Sequence, residues 1–244
     1  MSGKITMLTA YDYNTARALA EVDIDYILVG DSLAMVALGY PNTQTVSLGE
    51  ILIATRAVRR GAPKSKIITD MPLQAVNKKI NEALRAAEQI VIAGANIVKV
   101  ENAEKETLRL IRKLRDERIE VMGHLGYTPQ TLEKPILVKD KERLLDEAQK
   151  LEEHGVMALV LEMVPSEIAT EITQAIKIPT IGIGAGAGCS GQVLVSDDML
   201  GRYNLMQPKF LRRYSNQYED MLSSFKKYIE DVKGGDFPAE AESY

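Results

Sequence analysis

Four short runs of this chain are apolar, rich in β-branched residues, and close on a carboxylate. They are Ile27-Leu28-Val29-Gly30-Asp31, Ile67-Ile68-Thr69-Asp70, Ile97-Val98-Lys99-Val100-Glu101 and Leu159-Val160-Leu161-Glu162. Such residues favour the middle of a buried parallel strand. A carboxylate at the end of a buried strand costs free energy unless it is solvated, paired or bound to a metal. Four of them at equivalent strand ends predict a barrel with an acidic C-terminal rim, and clustered carboxylate oxygens suit Mg²⁺. Asp31 and Asp70 end successive strands and would point into one cavity, where repulsion raises one pKa unless a cation lies between them. Any one of these groups alone reads equally as a helix N-cap or an arginine partner. The set of four favours a metal.

Lys99 precedes Glu101 by two residues, so both side chains leave the same side of the strand. An ammonium there neutralises an enolate or a carboxylate, or else pairs internally with Glu101. His124, in Gly123-His124-Leu125-Gly126, ends a fifth strand, where it can donate a hydrogen bond to a substrate oxygen or transfer a proton. Glu162 stands among Leu161, Met163 and Val164, and apolar neighbours predict a raised pKa useful to a general base. Its alternative is a cap before Pro165. His154 falls in the last turn of a predicted helix, where it complements the helix dipole. The glycine-rich run 182–188 follows the seventh strand rather than the first, and it lacks Gly-Lys-Ser/Thr, so neither a Rossmann nor a Walker fingerprint is met. A phosphate, a pterin-like ring or close backbone packing each accounts for it. Cys189 has no histidine near it in sequence and reads as a buried small residue.

The elements that must position these groups alternate. Strands are predicted at 4–10, 26–31, 66–70, 95–101, 119–124, 156–162 and 179–184, with a short eighth at 192–195. Helices are predicted at 14–22 (capped by Asn14), 47–60, 81–93, 104–117, 141–154 and 166–176, with closing helices over 208–232. Ser47 followed by Glu50 is a capping-box signature. Loops 32–46 and 125–139 are longer than most βα connections, as lids and binding loops are. Eight βα units in 244 residues predict a closed (β/α)₈ barrel, a single domain over 1–244 with a polar tail from about residue 234.

Composition narrows the partners. Thirty basic and 34 acidic residues leave a net charge of −4, which argues against nucleic acid or an anionic membrane. Arg59-Arg60 and Arg212-Arg213 read as solvated helix surface. There is no tryptophan and aromatics are 5%, so a stacking platform for single strands is not expected. One cysteine allows no internal disulfide, and no signal peptide or membrane-length apolar run is evident, which predicts a soluble cytoplasmic protein.

Several segments together resemble the ketopantoate hydroxymethyltransferase (3-methyl-2-oxobutanoate hydroxymethyltransferase) family. They are Thr9-Ala10-Tyr11-Asp12-Tyr13, Leu28-Val29-Gly30-Asp31-Ser32-Leu33, Val58-Arg59-Arg60-Gly61-Ala62-Pro63, Gly94-Ala95-Asn96-Ile97-Val98-Lys99-Val100-Glu101, Gly123-His124-Leu125-Gly126-Tyr127-Thr128-Pro129-Gln130, Leu159-Val160-Leu161-Glu162 and Ile178-Pro179-Thr180-Ile181-Gly182-Ile183-Gly184-Ala185-Gly186. They occur in family order from about residue 5 to 210. The resemblance implies a TIM barrel of the phosphoenolpyruvate/pyruvate type and a homo-oligomer, octamer or decamer. It also implies transfer of a hydroxymethyl group from 5,10-methylenetetrahydrofolate to 3-methyl-2-oxobutanoate through a Mg²⁺-stabilised enolate, giving ketopantoate for pantothenate and coenzyme A synthesis. Carried over by position, Asp31 and Asp70 resemble the Mg²⁺ residues with Glu101 beside them, directly or through water. Asp31, Ser32, Asp70, Lys99 and His124 resemble substrate-pocket residues, and Glu162 the catalytic base. One departure stands out. Many bacterial members carry a Gly-Gly-aromatic-Lys stretch after Thr-Pro-Gln, whereas Thr131-Leu132-Glu133-Lys134-Pro135 here leads quickly to the next helix. The one-carbon carrier is therefore open between a reduced folate and a modified pterin. Another Mg²⁺-dependent C–C lyase or aldolase, or a non-catalytic barrel that senses a 2-oxo acid, are the rival readings.

Overall fold

The structure, a computed structural model, describes residues 3–244 except 133 and 206. Two compact units are distinguished, 1–195 and 196–244.

The first unit is a closed barrel of eight parallel strands in sequence order. The strands are β1 (Ile5–Thr9), β2 (Tyr26–Val29), β3 (Ile67–Asp70), β4 (Ile97–Glu101), β5 (Glu120–Gly126), β6 (Ala158–Glu162), β7 (Thr180–Ile183) and β8 (Gly191–Leu194). Closure removes the sheet edges, and β1 pairs β8 in register Ile5↔Gly191 through Leu8↔Leu194. The helices between strands are α1 (Tyr13–Glu21), α2 (Leu33–Val36), α3 (Leu48–Gly61), α4 (Leu73–Val76), α5 (Ile80–Ala93), α6 (Lys105–Asp116), α7 (Lys141–Glu153) and α8 (Ser166–Ala175).

The period-2 pattern of the strands divides the core in two. Residues facing outward, such as Ile27, Val29, Ile67, Val98 and Val100, pack with helix residues such as Ile51, Val58, Ile90, Ile111 and Leu114. Residues facing inward, Met7, Leu28, Ile68, Ile97, Met122, Val160, Ile181 and Val193, form a separate apolar cluster that plugs the barrel. Two residues further along β3, β4, β5 and β6, the same inward alternation presents Asp70, Lys99 with Glu101, His124 and Glu162. The apolar plug is thus the floor of a polar mouth.

Local signals explain most boundaries. Ser47 and Glu50 form the expected capping box: Ser47 Oγ accepts from Glu50 N at 3.3 Å and Glu50 Oε2 accepts from Ser47 N at 2.7 Å. The cap of α1 is Asp12 rather than the expected Asn14; Asp12 accepts from Thr15 N at 2.9 Å, because the helix begins a turn position earlier at Tyr13. The loop 32–46 begins with a helical turn, α2, that buries Leu33 and Ala34 beside the barrel. Arg59 is not solvated surface. Its guanidinium donates to the carbonyls of Gly94 (2.9 and 2.7 Å), Ala62, Pro63 and Ser65, tying the C-terminal ends of α3 and α5 together. His154 caps α7, with its Nδ1 2.7 Å from the Lys150 carbonyl.

The second unit contains α9 (Ser196–Met199), α10 (Gln217–Gly234) and a 3₁₀ turn at Glu240–Glu242. Closing helices were expected over 208–232, but residues 208–216 are not helical. The chain there bonds back instead, Tyr214 N donating to Met199 O at 2.8 Å, and helix starts only at Gln217. Gly235 ends α10 in the left-handed region (φ 83°), and the polar tail follows. Among the described residues, no helix is long and apolar enough to cross a membrane.

Candidate active site at the barrel mouth

The C-terminal ends of β2 to β6 bring all six charged or imidazole candidates named from the sequence into one group. Asp31 is 5% exposed, Asp70 2%, Lys99 5%, Glu101 3% and His124 3%. The Lys99 ammonium lies 2.9 Å from Asp70 Oδ1 and 4.0 Å from Glu101 Oε1. Asp70 Oδ2 accepts from the backbone N–H of Asp31 at 2.9 Å. Glu101 Oε1 lies 3.1 Å from His124 Nδ1. Across the ring, His124 Nε2 is 3.3 Å from Glu162 Oε2, with no hydrogen-bond partner in good geometry. Ser32, half-buried just after Asp31, shares a 2.8 Å hydrogen bond with Tyr11 Oη.

Electrostatics follow from this crowding. Burial raises the Asp31 carboxyl well above the usual range, and the charges of Asp70 and Glu101 raise it further, against Lys99 and a Gln130 hydrogen bond. Burial disfavours the Lys99 ammonium, yet the carboxylates of Asp70, Glu101 and Asp31 outweigh it and hold Lys99 protonated. For His124, burial and Lys99 oppose charge, but Glu101 and Glu162 prevail and push its pKa up to about 9. His124 is therefore an imidazolium between two carboxylates at neutral pH. Burial opposes the charge of Glu101, and His124, Lys99 and the Gln130 N–H outweigh it and lower its pKa. Burial, reinforced by Glu162, Glu101 and Asp31, lifts Tyr127 to about 12, so its phenol stays a donor.

Whether this group fits a divalent cation can be judged from its donors. When ionised, the four carboxylates face only Lys99⁺ and His124⁺, an excess of two negative charges. Asp70 Oδ1 is buried and has no hydrogen bond in good geometry. Among the described residues, no three His, Cys, Asp or Glu side chains are arranged to enclose a metal on their own. Mg²⁺ takes one or two protein carboxylates and completes its octahedron with water and substrate oxygens. Asp31 and Asp70 have the hard oxygens and the strained charge that such a cation would relieve. Both oxygens of Glu101 already have partners, His124 Nδ1 and Gln130 N. Glu101 would therefore support such a cation through water more readily than directly.

Three glycine positions show how closely the frame is drawn. Gly126 has φ +95°, and a Cβ there would lie 2.1 Å from the Glu162 carbonyl oxygen. That close approach lets Tyr127 N donate to the same carbonyl at 2.8 Å, which anchors the backbone of Glu162. In the glycine-rich run, a Cβ on Gly188 would meet Thr170 Oγ1 at 1.9 Å and one on Gly186 would meet Ser166 Oγ at 2.1 Å. Of the three readings left open for that run, close backbone packing against α8 thus accounts for these glycines. Cys189 is buried and unpaired, as its sequence context implied.

Tyr11, Tyr127 and Gln130 belong to the site but had no role assigned from the sequence. Each lies in a segment that carries the family resemblance, which was the available signal.

The family model for ketopantoate hydroxymethyltransferase matches residues 1–240. The chain belongs to the ketopantoate hydroxymethyltransferase family. A 3-methyl-2-oxobutanoate hydroxymethyltransferase of Syntrophus aciditrophicus (strain SB) is 44% identical over 249 residues, covering 99% of this chain and 91% of that protein. Solved structures of similar fold include phosphoenolpyruvate phosphomutase from Streptomyces platensis subsp. rosaceus, with TM-score 0.66, 12% identity and coverage of 99% and 89%. Another is 2,3-dimethylmalate lyase, a PEP mutase/isocitrate lyase superfamily member, with TM-score 0.62, 13% identity and coverage of 99% and 87%. At such identities these two speak for the barrel alone. The hydroxymethyltransferase family match, by contrast, spans the whole mouth, from Asp31 to Glu162.

Proposed function

We propose that this chain transfers a hydroxymethyl group from 5,10-methylenetetrahydrofolate to 3-methyl-2-oxobutanoate, giving ketopantoate for pantothenate and coenzyme A synthesis. The observation that carries this reading is the buried group Asp31–Asp70–Lys99–Glu101–His124, with half-buried Glu162 beside it, in a chain of this family. Asp31 and Asp70 would hold Mg²⁺. When bound, the cation supplies Lewis-acid polarisation of the 2-oxo acid and lowers the cost of enolate charge. Lys99 and Ser32 bind the oxygens of the acid; the ammonium is held protonated by its carboxylate neighbours and so presents a fixed positive charge. Glu162 removes the proton from C3. His124, 3.3 Å from Glu162 Oε2, orients that carboxylate. Water adds to the one-carbon unit and its bonds to the carrier nitrogens break, freeing tetrahydrofolate and leaving a carbon at the formaldehyde level. The C3 carbanion equivalent forms the new C–C bond to that carbon, and its oxygen takes up the proton to become the hydroxyl.

The test is an assay of the purified chain with 3-methyl-2-oxobutanoate, Mg²⁺ and, in parallel, methylene derivatives of tetrahydrofolate and of tetrahydromethanopterin. Ketopantoate formation with the folate is expected. Ketopantoate with the methanopterin alone would replace the carrier. Cleavage of C4-dicarboxylates without hydroxymethyl transfer would replace the reaction.

We also propose that the protein assembles with copies of itself, an octamer or decamer. An 18-residue helix, α10, has no buried residue and leaves Phe225, Tyr228 and Ile229 57%, 59% and 47% exposed, more apolar surface than a lone helix usually shows water. Analytical ultracentrifugation at micromolar concentration should give a single large species; a monomer would refute the assembly.

A further inference from the structure

Gln130 lies in the loop between β5 and α7, outside any helix or strand, yet it is only 5% exposed. Its side-chain nitrogen donates to Asp31 Oδ2 at 2.8 Å and to the Met71 carbonyl at 3.0 Å. Its backbone N–H donates to Glu101 Oε2 at 3.0 Å. The Met71 carbonyl can only accept, so the amide NH₂, and not its oxygen, must face it. One loop residue therefore fastens the C-terminal ends of β2, β3 and β4 together. The turn that delivers it is itself closed: Thr131 N and Leu132 N both donate to the Thr128 carbonyl, at 3.0 and 2.9 Å. Gln44, from the loop after β2, donates to the Pro129 carbonyl at 3.4 Å.

The chemistry of the side chain is telling. A lysine at this position would cancel the negative charge that attracts a cation. A glutamate would add a further repelling carboxylate to Asp31 and Glu101. A neutral amide with two N–H groups orients Asp31 without changing the charge of the site, and it occupies only Oδ2. The same residue restrains Glu101 through its backbone, so the two carboxylates are positioned by a single anchor.

We propose that Gln130 is a positioning residue for the divalent-cation site: it presets the Asp31 carboxylate for metal and locks Glu101 beside it. The inference rests on the metal reading above. It makes the β5–α7 loop part of the metal site through Gln130.

The test compares Gln130→Met, which keeps the volume but loses both donors, with Gln130→Ala. Mn²⁺ binding to the full-length purified protein is measured by EPR of the free ion, with thermal unfolding followed by circular dichroism. Wild type should bind Mn²⁺. The folded variants should bind it roughly 10–100-fold more weakly, the range seen when a group supporting a metal ligand is lost. In turnover, the Mg²⁺ concentration for half-saturation should rise while kcat at saturating Mg²⁺ is retained. A residue that only stabilises the loop would lower the melting temperature and leave the Mn²⁺ affinity alone. Unchanged Mn²⁺ affinity in folded variants would overturn the proposal, and so would failure of both variants to fold. Absence of Mn²⁺ binding by wild type would instead overturn the metal reading, and the role of Gln130 with it.

Discussion

Glu162→Gln should abolish exchange of the C3 hydrogen of 3-methyl-2-oxobutanoate with deuterated water, measured by NMR in the presence of Mg²⁺ and without any one-carbon carrier. A positioned general base contributes roughly 10²–10⁴-fold, and the loss should fall in that range. The substitution keeps the shape of the side chain and an oxygen that can face His124 Nε2, now 3.3 Å from Glu162 Oε2. The backbone of Glu162 is held independently, its carbonyl accepting from Tyr127 N at 2.8 Å. Metal and 2-oxo acid should therefore still bind, and the fold should be intact. Near wild-type exchange would move the basic role to another group at the mouth.

Asp70→Asn should have the second largest effect, on metal affinity. One oxygen of Asp70 faces the Lys99 ammonium at 2.9 Å and the other accepts from Asp31 N at 2.9 Å, so this carboxylate ties Lys99 to the backbone of Asp31. The amide keeps one oxygen but loses the charge. Mn²⁺ affinity should fall by at least the roughly 10–100-fold that loss of a supporting group brings, since on the proposed reading a ligand itself is weakened. The variant should also be less stable before any metal is added. Breaking a buried ion pair costs about 3–5 kcal/mol when the remaining charge is stranded. Glu101, 4.0 Å from Lys99, softens that penalty. Paired measurements of Mn²⁺ binding and urea unfolding separate the two effects, and an unchanged metal titration would remove Asp70 from the ligand set.

Much of the site was legible in the sequence because β-strands carry a period of two. Ile97, Lys99 and Glu101 alternate on one side of β4, and the same rule sends Ile68 and Asp70, Met122 and His124, Val160 and Glu162 inward. An apolar residue followed two positions later by a polar one marks where the plug ends and the mouth begins. Four strands carry this mark, and eight strand–helix units with Gly and capping signals between them determine the barrel and the strand ends at which its chemistry sits. Less legible were groups without period. Gln130 is in an irregular loop, and nothing local says that it reaches β2, β3 and β4. Arg59 reads as helix surface until α5 brings the Gly94 carbonyl within 2.7 Å. The non-helical stretch before Gln217 depends on backbone bonds to residues well before it, Tyr214 N to Met199 O among them.

What the sequence by itself determined, then, is which side chains line the mouth; which of them touch was decided by the tertiary structure. Lys99 illustrates the difference. Along the strand its same-side neighbour is Glu101, the partner that sequence spacing offers. In the barrel its closest partner is Asp70, at 2.9 Å against 4.0 Å. The reason is geometric. Same-side residues of one strand are spaced by about 6.6 Å, whereas adjacent strands lie only about 4.8 Å apart. The register of β3 with β4 sets Asp70 directly beside Lys99. Likewise the register Glu101↔His124 and the path of the loop to Gln130 decide that Glu101 is held on both oxygens, while the Gln130 side chain takes only Oδ2 of Asp31. No periodicity encodes a register between strands; it is set by closure of the whole barrel.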